Sequence, residues 1–256
     1  MKVSILQTKL IWEDIEANFS SIEEQLSKVP ADTEIVVLPE MFTTGFSMKP
    51  EEFAERYPGK TVEWMQRMAK LKGAAITGSY IANVDGKYFN RMIFALPNGQ
   101  IHVYDKRHLF RMAEEDKHYS AGGKRIVVTY KGWRILLQVC YDLRFPVWMR
   151  NRNDYDLIIL VANFPERRRY AWNSLLVARA IENQCYVAAC NRVGVDGNGY
   201  NHTGDSQVID AKGTVVALAT PNNNQIVTAD LSMEALQSFR NDFPAHLDAD
   251  DFELKL

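Results

Sequence analysis

Three short segments put reactive side chains at the ends of apolar runs. In EIVVLPEMFTTGF, Glu40 follows the run Glu34–Leu38 by two residues. Pro39 has no N–H with which to continue a ladder, so the strand ends there. Glu40 is then delivered to the carboxyl end of a buried strand, where α/β proteins build their sites. A turn or helix-capping carboxylate is the alternative. In IHVYDKRHLF, Lys106 closes a strand between Asp105 and Arg107. Taken alone, that segment reads more simply as a solvated, charged strand end. In LLQVCYDLRFPVW, Cys140 ends an apolar run, and Pro146 fits the first turn of a following helix. A cysteine at such an elbow exposes its sulfur and lets the next backbone N–H, that of Tyr141, face an oxyanion. Free cysteine is more often a small core residue, but Tyr141, Asp142 and Arg144 give this one polar neighbours.

These side chains suit acyl chemistry through a thioester. An unperturbed thiol with a pKa near 8.5 is only roughly 3% thiolate at neutral pH. Cys140 therefore needs a base, and Glu40 can take its proton. Lys106 can favour the thiolate and stabilise the oxyanion. A Cys–His hydrolase is the chemical rival, with His108 and His202 as candidate bases. His108 reads as a structural hydrogen-bonding residue. His202 lies in GVDGNGYNHTGD, a loop that could reach a site or stay a solvated turn. Cys185 and Cys190 lie five apart on a strand pattern, so they point to opposite faces. With no further ligand nearby they read as core, and no metal or other cofactor is expected.

Val- and Ile-rich runs at 2–6, 34–38, 74–80, 134–140, 156–162 and 185–191 read as strands, several apolar on both faces. Ile15, Phe19, Ile22 and Leu26 form one face of a helix. Thr61 can cap a second helix carrying Trp64, Met65, Met68 and Leu71. Asp85-Gly86 and Asn98-Gly99 are hairpin signals around the strand 88–96, and Lys131-Gly132 and Lys212-Gly213 are similar. The pattern is α/β with a mixed sheet system; it does not itself decide between two layers and four.

In this order, each at a strand end, the three segments resemble the nitrilase, or carbon–nitrogen hydrolase, superfamily. The resemblance runs over nearly the whole chain. CYDLRFPVW, ARAIENQ and NRVGVDGNG are similar to stretches of its bacterial omega-amidase branch. It implies one domain over 1–256, a four-layer α-β-β-α sandwich with two mixed sheets, and catalytic Glu40, Lys106 and Cys140. It also implies a second glutamate before the Ala-Gly turn of HYSAGG, for which Glu115 fits best and Glu114 is the neighbour. Many family members carry Glu after the Phe-Pro of the cysteine motif, where this chain has Val147. The implied activity is hydrolysis of an omega-amide of a short dicarboxylate such as alpha-ketoglutaramate or succinamate, with N-carbamoyl amidase, nitrilase or acyl-transfer activity still open. The likeness also implies a homodimer, paired through the helices that follow Cys140 and span 171–183.

Candidate substrate contacts are Tyr141, Phe42, Phe145, Trp148, Asn163 and Arg167, with Phe164 and Trp172 as further walls. The run ERRRY, 166–170, reads first as a solvated helix turn and second as a carboxylate clamp. Arg144 and Lys124 could supply the same charge. Asp142, Arg144 and Glu182 otherwise read as ion pairs behind the site.

Hydrophobic residues make up 46% and charged residues 24% of 256, with net charge -2. That balance offers no general attraction to nucleic acid or to an anionic membrane. No apolar run is long enough to span a bilayer, and the acidic N-terminal segment does not read as a secretory leader. An odd count of three cysteines suits a reducing cytosol.

Overall fold

A computed structural model describes residues 1–254. It holds two facing mixed sheets built on one plan. In the first, Lys2–Gln7, Ile35–Val37 and Ala75–Val84 run parallel. Gln225–Asp230 flanks them antiparallel on one side, and Lys87–Ala95 on the other. Ile101–Asp105 then pairs antiparallel with Lys87–Ala95. Two reversals restore direction, so Ile101–Asp105 ends at the same edge as Ile35–Val37. That shared edge brings Lys106 to Glu40. In the second sheet Trp133–Val139, Leu157–Ala162 and Tyr186–Asn191 form the parallel centre.

Alternation along the strands assigns the faces. Val3, Ile5, Ile35 and Val37 pack in one core with Leu137, Val139 and Ile159 of the second sheet, which share a face by register. Their neighbours Leu6, Val36 and Leu38 pack outward under Phe19, Ile22, Trp64 and Met65. These belong to the helices Ile15–Ser27 and Lys60–Lys72. On the far side the helix Arg169–Asn183 buries Trp172, Leu176, Arg179, Ala180 and Asn183 against the second sheet. The result is the α-β-β-α order.

The second helix departs from expectation at its start. Thr61 lies inside it, and Gly59 is the N-cap without a side-chain bond. Glu55 supplies the missing acceptor from outside, taking the Thr61 N–H at 2.7 Å and also its hydroxyl. A preceding carboxylate therefore does what the capping residue was expected to do.

One glycine is fixed by close approach. Gly122 donates its N–H to the Lys106 carbonyl at 2.9 Å. A Cβ there would sit 2.1 Å from the Asp105 carbonyl oxygen. The Ala-Gly turn thus locks the end of the strand that carries Lys106. Among the described residues, no helix is long and apolar enough to cross a membrane.

Candidate active site

Cys140 sits at φ 46, a left-handed conformation uncommon for a residue with a side chain. It opens the 3-10 turn Cys140–Arg144, and Pro146 begins the next helical turn. The expected elbow is therefore present and strained, as residues held at reactive positions often are. Asp142 holds it in place. Its Oδ2 accepts from Val139 N at 3.0 Å and from the Tyr104 hydroxyl at 2.7 Å, and its Oδ1 from His108 N and Nδ1. The same carboxylate thus ties the elbow to the segment after Lys106.

Glu40, Lys106 and Glu115 are all buried. Lys106 Nζ lies 2.9 Å from Glu40 Oε1 and 2.9 Å from both oxygens of Glu115. The charges of Glu40, Lys106 and Glu115 all act on the Cys140 thiol. Glu114, the alternative second glutamate, is exposed and pairs with Lys117.

The oxygens of Glu40 can be counted. A carboxylate oxygen offers two lone pairs. Those of Oε1 are filled by Lys106 Nζ and by Asn90 Nδ2 at 2.7 Å. Oε2 accepts the Asn163 backbone N–H at 2.8 Å. Among the described residues, no donor fills the second acceptor site of Oε2, which stays open. The thiol proton has that place to go.

Charge decides the resting state. One cation lies between two carboxylates, leaving the cluster one negative charge in excess. Burial alone would lower the Lys106 pKa, but Glu115 and Glu40 hold it above the ordinary lysine value. Burial raises the Glu115 pKa, with Lys106 opposing and Glu40 adding to the rise. The Cys140 thiol is pushed well up, by burial first and by the charge of Glu40 next. Lys106 acts in the expected direction on the thiol and is outweighed. That rise favours a protonated thiol over a preformed thiolate.

A carbon-nitrogen hydrolase family model matches residues 2–241. The chain belongs to that family. It is 48% identical over 254 residues to the omega-amidase YafV of Escherichia coli, covering 99% of this chain and 98% of the relative. A 2-oxoglutaramate amidase of Bacillus subtilis is 32% identical, over 94% and 95% of the two chains. A CN-hydrolase superfamily protein from Xanthomonas campestris, solved with an arsenic adduct in its active site, superposes with a TM-score of 0.97. It is 45% identical, covering 100% of this chain and 99% of that one.

This carbon–nitrogen hydrolase has a pocket of about 390 Å³ that opens onto Cys140. Of the expected contacts, Tyr141, Asn163 and Arg167 line it, as does Phe164. The other aromatics lie elsewhere. Phe42 is in the outer core against Phe19 and Trp64. Phe145 stacks on the His108 ring with centroids 3.7 Å apart. Trp148 donates to the Tyr104 hydroxyl behind the elbow, and Trp172 donates to the Asp205 carbonyl under its helix. Large aromatics here close the layers around the site, a role that residue type alone does not distinguish from a pocket wall. Val147 is 51% exposed and does not line the pocket.

Arginines differ most from the simplest reading of the sequence. Arg167 and Arg168 of ERRRY line the pocket together with Arg144, while Arg169 pairs with Asp205. Among the described residues none of the three pocket arginines has a carboxylate within ion-pair distance. Each lies over an aromatic ring instead: Arg167 on Tyr200, Arg168 on Phe110, Arg144 on Phe164. Burial and the nearby charge of Arg167 lower the Arg168 pKa. Arg144 was expected in an ion pair behind the site; Glu182 pairs with Arg179 and Asp142 with His108 instead. Lys124 is exposed and off the pocket.

Neither rival histidine is hydrogen-bonded to Cys140. His108 is bonded to Asp142 at 2.8 Å. His202 lines the pocket, buried, with Nδ1 against the carbonyls of Gly194 and Tyr200. Burial, then the charge of Arg192, pushes its pKa down to about 4. Asn90 was missed altogether. Its signal was an asparagine inside the strand KYFNRMIFA, where asparagine is disfavoured.

Proposed function

We propose that this hydrolase cleaves the terminal amide of a short dicarboxylic acid monoamide, giving the diacid and ammonia. Succinamate and alpha-ketoglutaramate are the substrates in view. The observation that carries this reading is the set of three arginines around the pocket that opens onto Cys140, none with a carboxylate partner among the described residues. Guanidinium forks fit a carboxylate in two-point contact, and a charge left unpaired in a pocket calls for one from the ligand. The names of the Escherichia coli and Bacillus subtilis relatives point the same way.

In this reading Cys140 Sγ attacks the amide carbon while its proton passes to the open site on Glu40 Oε2. The oxyanion meets the Tyr141 N–H and Lys106. The two contacts of Lys106 with Glu115 can share one N–H, which leaves a third N–H for that oxygen. The C–N bond breaks as Glu40 returns the proton to nitrogen, and ammonia leaves. Water then attacks the thioester with Glu40 taking its proton. The C–S bond breaks, and the thiol is restored by the same proton. Glu115 holds Lys106 and takes no proton in the cycle. Arg167, Arg168 and Arg144 bind the remote carboxylate, and Asn163 and Tyr141 flank the amide.

Ammonia release from succinamate and from butyramide, the neutral amide of equal length, tests the substrate class. Losing a charge-assisted contact of about 1.5–3 kcal/mol lowers kcat/KM for butyramide about ten- to a hundredfold. Equal rates, or faster turnover of a nitrile or a carbamoyl compound, would rule the reading out.

The same reading has the chain as a homodimer. Val147, Tyr170 and Ile181, on the helices Pro146–Met149 and Arg169–Asn183, are 51%, 87% and 51% exposed. Such a face favours a second copy. Phe252 of the tail lies on Arg152 of its own chain, and Phe243 and Leu247 stay exposed. Sedimentation should give a dimer; a monomer independent of concentration contradicts it. A reducing cytoplasm suits the three free thiols.

A further inference from the structure

We propose that Asn90 is a positioning residue that leaves Glu40 a single open acceptor site, the one that receives the Cys140 proton. The inference rests on Glu40 acting as the base.

Strand register places Asn90 where it can do this. Arg91 pairs with Asp105 across the two antiparallel strands, and one step further the Lys106 N–H donates to the Asn90 carbonyl at 3.0 Å. Lys106 and Asn90 are therefore cross-strand neighbours with side chains on one face. Both reach the same two oxygens. Lys106 Nζ is 2.9 Å from Glu40 Oε1 and from Glu115 Oε1. Asn90 Nδ2 is 2.7 Å and 3.4 Å from that same pair. Two donors and two acceptors close a four-membered ring of contacts.

The orientation of the amide follows from its partners. Both atoms it faces are carboxylate oxygens, so the NH2 group must point at them. Its own oxygen, Oδ1, is buried with no donor among the described residues. An unsatisfied buried acceptor is costly, and such a cost persists where a side chain serves function rather than stability.

Without the amide donor, the second lone pair of Glu40 Oε1 opens. The carboxylate then has two places to hold a proton, one of them on the oxygen turned toward Lys106. A proton taken there is not the thiol proton in flight and cannot be handed to the leaving nitrogen. Both half-reactions use Glu40, so both slow. The pocket arginines are untouched, so substrate binding stays. The charged and titratable groups facing Glu40 are Lys106, Glu115 and Cys140, with Tyr119 beyond them.

Asn90→Leu keeps the volume and removes the donor. Asn90→Asp keeps the shape and donates only when the introduced carboxyl is protonated. With succinamate, Asn90→Leu should lower kcat about ten- to a hundredfold while KM stays within about twofold. Asn90→Asp should be weak at pH 8 and recover relative to wild type as the pH falls, which a merely structural defect would not do. Asn90→Leu should show no such relative recovery. If one variant does not fold, the other carries the test. A kcat within twofold of wild type across pH in a folded variant overturns the proposal, and so does a loss borne by KM alone. Glu40→Gln measured alongside separates the two claims, because retained activity there defeats the base assignment itself.

Discussion

Cys140→Ala is expected to fold, bind succinamate and release no measurable ammonia, with kcat lowered by at least about ten-thousand-fold. Removing a nucleophile acts on that scale because the remaining groups then have only water to activate. Stability should change little, since the thiol is small and at the pocket floor. The substitution also removes a left-handed cysteine at φ 46 without relaxing it, as alanine suffers the same strain. Iodoacetamide offers a check in the wild-type protein. Cys140 is 9% exposed and the other two cysteines are 0% exposed. Labelling should therefore fall on Cys140 first, with activity lost in proportion. Equal labelling of Cys185 or Cys190 with activity retained would contradict the assignment.

Glu40→Gln is expected to cost about a hundred- to ten-thousand-fold in kcat, the range that a general base contributes. The amide oxygen of the variant would take the place of Oε1 beside Lys106 and Asn90. Its NH2 would then face the Asn163 N–H, donor against donor, exactly where the thiol proton should land. Folding should survive, because the substitution leaves Lys106 with Glu115, a cluster with no excess charge. Thermal unfolding near the wild-type temperature together with that loss of kcat is the expected result. Lys106→Met would do the reverse, leaving two buried carboxylates without a counter-charge, a change that typically costs about 3–5 kcal/mol.

Much of this arrangement was legible because its parts are local. Pro39 after EIVVL, Pro146 after the cysteine turn, and the apolar strands between them fix where Glu40 and Cys140 emerge. The four-layer order came from family likeness, because apolar strands covered on both faces look alike in any buried sheet. Lys106 illustrates the limit. Its flanking charges made it look solvated, and only two antiparallel reversals reveal that its strand ends beside Glu40. Asn90 offered only a weak local signal, an asparagine inside a strand, because its partners lie 50 and 25 residues away. The aromatics misled differently. Phe42, Phe145 and Trp148 lie within the key motifs in sequence, yet the turns and short helix that carry them set their rings off the pocket. The arginine run was ambiguous until the 3-10 turn Glu166–Arg168 set Arg167 and Arg168 toward the pocket and the following helix set Arg169 toward Asp205.

The central claim is a thioester on Cys140, and acid-quenched mass spectrometry during turnover of succinamate tests it most directly. The account predicts a transient population heavier by one succinyl group, carried on the peptide containing Cys140 and absent in Cys140→Ala. A succinylated residue other than Cys140, or burst release of ammonia with no protein-bound succinyl group at any quench time, would contradict it.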